Sequence, residues 1–148
     1  MKKISFALLV ILLFCAFSQK DYKLQTELLL IDGDWVHTEY LTDANNDGIF
    51  ENAALPCQIG DVWRFTADHK FQWRDEIEYC DMEVDSLAIT HGTWELRNND
   101  TELYIEIDPV FLSYNFHIHI INSNFMELRQ YNDPSTFAPP EERLRFVK

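Results

Sequence analysis

The chain has 148 residues, and its 25 acidic side chains against 12 lysines and arginines give a formal net charge of −13 at pH 7. Nucleic acids and anionic membrane surfaces are bound through clusters of basic residues, so this charge argues against both as partners. The sequence contains no internal repeat, low-complexity block or linker after its first 18 residues, which predicts a single folded domain.

The first 18 residues have the pattern of a secretory signal peptide. Lys2 and Lys3 precede an apolar run that extends to Phe17, and residues 16–18 fit a small-residue cleavage site. The run is shorter than the roughly 20 residues that a transmembrane helix needs. We therefore expect residues 1–18 to be removed and residues 19–148 to form a domain that is secreted or held in the periplasm or cell envelope.

The three cysteines carry two further expectations. Cys15 offers an alternative to simple secretion, because a lipidated cysteine here would anchor the protein to a membrane; the bulky Phe14 before it argues against this. Cys57 and Cys80 remain after cleavage, and in an oxidising compartment we predict that they form a disulfide. Two separate buried thiols are the alternative. Neither cysteine lies in a Cys-x-x-Cys motif, which argues against a zinc site.

The apolar pattern predicts one short helix followed by eight strands. Apolar residues recur at helical spacing over Tyr22–Ile31, and Gly33 can end this helix. From Trp35 onward the apolar period is two, and the predicted strands cover residues 35–40, 62–66, 71–74, 92–97, 103–107, 114–120, 125–129 and 143–147. Tight turns between them favour an all-β, antiparallel up-and-down barrel over a two-sheet sandwich, which is the alternative.

The residues around the first predicted strand resemble a known family. Gly33-Asp34-Trp35 is similar to the Gly-x-Trp signature of lipocalins, in which the tryptophan closes one end of the barrel against a basic residue of the last strand. The resemblance implies this role for Gly33 and Trp35, with Arg143 or Arg145 as the cation–π partner.

The order of motifs is similar to that of bacterial secreted lipocalin-like domains over most of Gly33–Val147. The matching segments are Asp43–Gly48, Leu55-Pro56-Cys57, Val62-Trp63-Arg64-Phe65, Asp68-His69-Lys70, Cys80 and Gly92-Thr93-Trp94. The resemblance implies an eight-stranded lipocalin-like barrel.

One loop has the oxygen spacing of a calcium site. The candidate ligands are Asp43, Asn45 and Asp47 at loop positions 1, 3 and 5, the carbonyl of Ile49 at position 7 and Glu51 at position 9, with Gly48 at the turn. Position 12 is Ala54, so the bidentate glutamate of an EF-hand is absent. An isolated calcium loop and a metal-free Asx turn are both open at this point.

Eight aromatic residues are candidates to line the barrel interior and to bind a ligand: Trp63, Phe65, Phe71, Trp73, Trp94, Tyr104, Phe116 and Phe125. A barrel of this size is either packed solid or leaves an apolar pocket for one small molecule. His117 and His119 are expected on the outward face of their strand, opposite Ile118 and Ile120. We interpret the acidic groups Asp75-Glu76-Glu78 and Glu141-Glu142 as solvated strand faces and a loop.

The sequence contains no motif for nucleophilic catalysis, so we do not expect an enzyme. The favoured function is binding of a small hydrophobic ligand. The alternative is a calcium- and disulfide-stabilised structural or surface interaction module with a packed core. We expect no membrane span, and the sequence predicts no oligomeric state.

Overall fold

The structure is a computed structural model that describes residues 25–75, 89–108, 112–131 and 141–148. The predicted signal peptide, Cys15, Cys80 and the start of the predicted helix at Tyr22 therefore lie outside the described residues. A short helix, α1, covers residues 25–31. Gly33 follows it with a φ of +115°, a conformation that glycine adopts without steric cost.

Within the described ranges, nine strands follow the helix. They are β1 (Asp34–Thr42), β2 (Glu51–Asn52), β3 (Val62–Phe65), β4 (Lys70–Arg74), β5 (Ile89–Arg97), β6 (Glu102–Asp108), β7 (Leu112–Ile121), β8 (Phe125–Tyr131) and β9 (Glu141–Val147). All predicted strands are present, and most extend one to three residues beyond the predicted bounds. The two-residue β2 has no counterpart in the sequence-based expectation.

The strands form one antiparallel sheet that closes on itself. From β3 to β9 each strand pairs with the next in chain order, and β1 pairs with both β3 and β9. The predicted eight-stranded up-and-down barrel is therefore confirmed, with β1 and β3–β9 as its strands. The short β2 pairs with the end of β1, and β3 pairs with the start of β1.

Two shifts in strand register decide which side chains face the interior. The β1–β9 pairing shifts between His37 and Glu39, and the β7–β8 pairing shifts between Ile118 and Ile120. Such a bulge adds one residue and so exchanges the faces of the residues beyond it. The expectation that Ile120 shares the apolar face of Ile118 is wrong for this reason: Ile121 packs against the core, while Ile120 is 41% exposed.

Aromatic side chains fill one end of the barrel, which we call the closed end. Trp35 lies near the start of β1, while Phe65 and Phe146 lie at or near the ends of β3 and β9, and these termini meet beside α1. Trp63 lies deeper, with its ring centroid 4.7 Å from that of Phe146 and 5.3 Å from that of Phe71. The opposite end, where β1 ends and β9 begins, is the open end.

Trp35 is fully buried at the closed end, as the Gly-x-Trp resemblance implies, but its cationic partner is Lys148. The Lys148 ammonium lies 4.6 Å from the Trp35 ring centroid and donates to the backbone carbonyl of Leu29 at 3.2 Å. Trp35 Nε1 donates to the carbonyl of Leu30 at 2.9 Å. Both contacts fasten α1 to the barrel.

The prediction of Arg143 or Arg145 for this role is wrong. The side chains of alternate residues in a strand share a face, and Phe146 occupies the interior face of β9. Arg145 therefore lies on the outer face, where it forms an ion pair with Glu39 at 2.8 Å. Arg143 is also outside, with its guanidinium 3.5 Å from the ring centroid of Phe50.

Candidate functional site

A cavity of about 300 Å³ occupies the open half of the barrel. This volume lies at the lower end of the range of about 300–1,000 Å³ that is usual for small-molecule sites. Trp35, Phe65 and Phe146 are buried at the closed end and do not line the cavity. The interior is therefore packed on one side only.

Apolar side chains form most of the cavity surface. They come from the inward faces of five strands: Trp63, Phe71, Trp73, Ile105, Ile107, Tyr114, Phe116 and Leu144. Trp63 and Phe116 belong to the packed core and form its boundary with the cavity, with ring centroids 5.9 Å apart. Tyr114 stacks on Phe116 with an interplanar angle of 11°. The site therefore offers a flat, aromatic surface to a bound molecule.

Four polar side chains complete the lining: Tyr40, Gln58, Gln130 and Glu142. Glu142 faces inward because it precedes Leu144 and Phe146 by two and four residues on β9. The Tyr40 hydroxyl donates a hydrogen bond to the Glu142 carboxylate, and Gln130 is the register partner of Glu142 on β8. Burial, followed by this negatively charged neighbour, raises the pKa of Tyr40 well above its usual value.

A second acidic group is buried near the cavity wall. Asp61, which directly precedes β3, is 3% exposed, and the indole N–H of Trp73 donates to its Oδ2 at 3.0 Å. Burial raises the pKa of Asp61 to about 6, and the negative charge of Asp75 acts in the same direction. Its other oxygen, Oδ1, is buried and has no hydrogen-bond partner among the described groups.

The architecture is also found in a solved structure. A crystal structure of a lipocalin-like protein from Bacteroides uniformis ATCC 8492 matches with a TM-score of 0.52 and 15% sequence identity, over 78% of this chain and 96% of that chain. The chain has the lipocalin-like barrel fold. No family model matches the sequence, and no curated protein matches it. In the part of the chain that the structure describes, no helix is long and apolar enough to cross a membrane.

Four of the eight aromatic residues that the sequence predicts for the barrel interior line the cavity: Trp63, Phe71, Trp73 and Phe116. Phe65 and Trp94 are buried in the core instead, where the Trp94 indole donates to the carbonyl of Thr66 at 3.1 Å; these two side chains do not line the cavity.

The interior assignment is wrong for Tyr104 and Phe125. Tyr104 alternates with the buried Leu103 and Ile105, so its ring lies on the outer face, 3.4 Å from the guanidinium carbon of Arg97. Phe125 precedes the fully buried Met126 on β8 and faces the other way. The interior prediction for Tyr104 and Phe125 rests on their aromatic character. Adjacent residues of a strand point to opposite faces, so their apolar neighbours on the interior face already place these two rings outside.

Sequence reasoning missed the polar part of the site. Glu142 was interpreted as solvated together with Glu141, but two-residue counting back from Phe146 and Leu144 places it inside the barrel. Tyr40 carried no comparable signal, because the bulge between His37 and Glu39 changes the face on which it lies. Gln58 comes from the connection between β2 and β3, whose course the sequence does not predict.

The carboxylates of the predicted calcium loop are occupied by backbone hydrogen bonds. Asp43 accepts from the N–H of Asp47 at 3.0 Å and of Gly48 at 2.8 Å, and Asp47 accepts from the N–H of Ile49 at 2.8 Å. The described residues contain no group of three or more His, Cys, Asp or Glu that could hold a metal ion. These contacts favour the Asx-turn alternative; calcium binding through Asp43, Asn45, Asp47, Ile49 and Glu51 stays a prediction.

The side chains of the remaining predicted residues that the structure describes do not line the cavity. His119 is 40% exposed in its side chain and lies 3.9 Å from Glu127, on the outer face of β7 and β8. His117 is opposite Arg129 in the sheet register. Cys57 is disulfide-bonded and directly precedes the cavity residue Gln58. Its predicted partner, Cys80, lies outside the described residues, so the pairing of these two cysteines stays a prediction.

Proposed function

We propose that this protein binds one small, mainly apolar molecule in the open half of its barrel and does not transform it. The observation that carries the proposal is the cavity of about 300 Å³ between an aromatic floor and a polar rim. Apolar walls provide binding energy through the hydrophobic effect, and a few polar groups orient the ligand. The described lining residues include no Ser, Cys, His or Lys that could act as a nucleophile.

The cavity also distinguishes this function from the alternative of a packed structural module. A solid interior is expected if the barrel serves only as a rigid surface, whereas apolar side chains around empty space lose dispersion contacts and stability. The apolar run and cleavage pattern of residues 1–18 support a location outside the cytoplasm. A secreted or envelope-located binding protein accounts for both features.

A cavity-filling variant tests this proposal. Ile107 lines the cavity, so Ile107→Phe reduces the space available to a ligand. We expect calorimetric titration with the neutral probes indole and 2-phenylethanol to show binding to the wild type. The affinity should fall about tenfold or more in this variant, because the phenyl ring occupies space that the ligand needs; a tenfold change corresponds to roughly 1.4 kcal/mol. Leu144→Phe, which fills another wall of the cavity, serves as a second variant.

Ile120→Phe is the matched control, because it makes the same change at an exposed position of the outer face. It should bind both probes within about twofold of the wild type. The thermal midpoint of each variant shows whether the barrel is intact. Equal affinity in the cavity variants and the control, or no binding of either probe to the wild type, contradicts the proposal.

A further inference from the structure

Glu142 is the single charged side chain among the described residues that line the cavity. Leu144 and Phe146, two and four residues further along β9, are apolar and face the same interior. A carboxylate in this position loses part of its hydration and is costly unless charged or polar partners replace the water. The charged and polar groups around Glu142 therefore indicate which ligand charge the cavity favours.

The basic residues closest to Glu142 in the sheet are all directed outward and paired elsewhere. Arg143 lies 2.7 Å from Glu141, and Arg129 lies 2.9 Å from Glu127. Within the described part of the chain, no ion pair to Glu142 is formed, and the cavity lining includes no Lys, Arg or His. The negative charge inside the cavity thus has no counter-charge among these residues.

Glu142 keeps capacity for another hydrogen-bond donor. A carboxylate has two oxygens with about four acceptor sites, and the Tyr40 hydroxyl uses one of them. Because that hydroxyl donates to Glu142, its own proton is not available to a ligand. Apart from Tyr40 and Glu142, the only polar side chains among the described lining residues are the neutral Gln58 and Gln130, and the other walls are aromatic and aliphatic.

The wider electrostatics act in the same direction. Asp61 adds a second buried carboxyl behind the indole of Trp73, and the whole chain carries a formal charge of −13. An anionic ligand would be repelled by this field, whereas a cation would be attracted to it. Aromatic rings such as those of Trp63, Trp73 and Tyr114 also attract organic cations, because the ring faces are electron-rich.

We infer that the cavity binds a small organic cation, namely an amine with a one-ring or similarly compact apolar body, whose ammonium group pairs with Glu142. This inference rests on the proposed function of the same cavity and adds the charge of the ligand to it. The ammonium donates charge-assisted hydrogen bonds to the carboxylate, and the apolar body packs against Trp63 and Phe116.

Three probes of matched size test the sign of the ligand charge: 2-phenylethylamine, 2-phenylethanol and phenylacetate. We expect calorimetric titration of the wild-type protein at neutral pH to show the amine binding about tenfold tighter than the alcohol, and the carboxylate weakest, since hydrogen bonds to charged groups are worth about tenfold or more in affinity. Glu142→Gln keeps the size of the side chain but removes its charge. It should weaken amine binding about tenfold and leave alcohol binding within about threefold.

Glu141→Gln is the control, because Glu141 pairs with Arg143 on the outer face and does not line the cavity. This variant should keep the preference for the amine. If the alcohol or the carboxylate binds as tightly as the amine, or if Glu142→Gln keeps amine affinity, the inference is wrong while ligand binding stands. If none of the three probes binds, the inference and the proposed function both fail.

Discussion

At the scale of single residues, Asp61 is a carboxyl group whose environment perturbs its ionisation. Its carboxylate is 3% exposed, with one oxygen bonded to Trp73 and the other lacking a partner among the described groups. Burial raises its pKa to about 6, whereas an aspartate in an unfolded chain ionises near about 3.9. Between these two values the folded state binds more protons than the unfolded state, so the contribution of Asp61 to stability falls as the pH rises through this window.

The variant Asp61→Asn removes this pH dependence. Its amide oxygen still accepts the Trp73 N–H, and no buried charge forms at neutral pH, so we expect the variant to gain roughly 1 kcal/mol relative to the wild type between about pH 4 and pH 7. Chemical denaturation at about pH 4.5 and about pH 7.5 measures the difference. Asp108→Asn, at an exposed position at the end of β6, is the control. A pH-independent difference between Asp61→Asn and the wild type would argue against a perturbed carboxyl at this site.

At the scale of strands, Gly92 permits the close approach of β5 and β6. A Cβ atom built on Gly92 would lie 2.1 Å from the backbone carbonyl oxygen of Glu106, a distance that no real contact allows. Gly92→Ala must therefore separate the two strands, and we expect a loss of about 2–3 kcal/mol in the free energy of unfolding. Chemical denaturation measures this loss. Thr93→Ala, at the neighbouring position of β5, should cost less than about 1 kcal/mol. Equal losses of stability in both variants would contradict the importance of the close approach between Gly92 and Glu106.

The strands also show what the sequence could predict about the fold. Alternation of apolar and polar residues depends only on local geometry, and it located all eight barrel strands, including those around Trp63 and Phe146. A bulge has no comparable signature, because it depends on how two strands pair. Ile120 was consequently assigned to the wrong face, and Tyr40 was not recognised as a cavity residue.

At the scale of the whole molecule, the cavity could not be predicted from the list of interior aromatics. Whether a barrel interior is full depends on the volume of all inward side chains at each level, which follows only from the closed register. Trp35, Phe65 and Phe146 fill the closed end, whereas the inward side chains at the level of Ile107 and Leu144 leave a cavity. The charged part of the site, Glu142, was predictable in principle, since strand alternation alone places it inside.

The predicted disulfide connects stability to the cavity. Cys57 is disulfide-bonded and directly precedes Gln58, whose side chain lines the cavity. The backbone carbonyl oxygen of Gln58 lies 2.8 Å from the ring Nδ1 of the buried His37. If Cys80 is the partner, as the sequence predicts, the crosslink closes a loop of moderate length and should stabilise the fold by about 3 kcal/mol.

We therefore expect the double variant Cys57→Ser, Cys80→Ser to unfold at lower denaturant concentration, by about 3 kcal/mol, and to bind 2-phenylethanol more weakly because the segment that carries Gln58 is less restrained. Intact-mass measurement after alkylation, with and without reduction, counts the free thiols. Wild-type protein treated with reductant is the matched control and should behave like the double variant, because it loses the crosslink without any change of sequence. Alkylation of both cysteines in the unreduced, unfolded protein would contradict the pairing, since a disulfide leaves neither sulfur free to react.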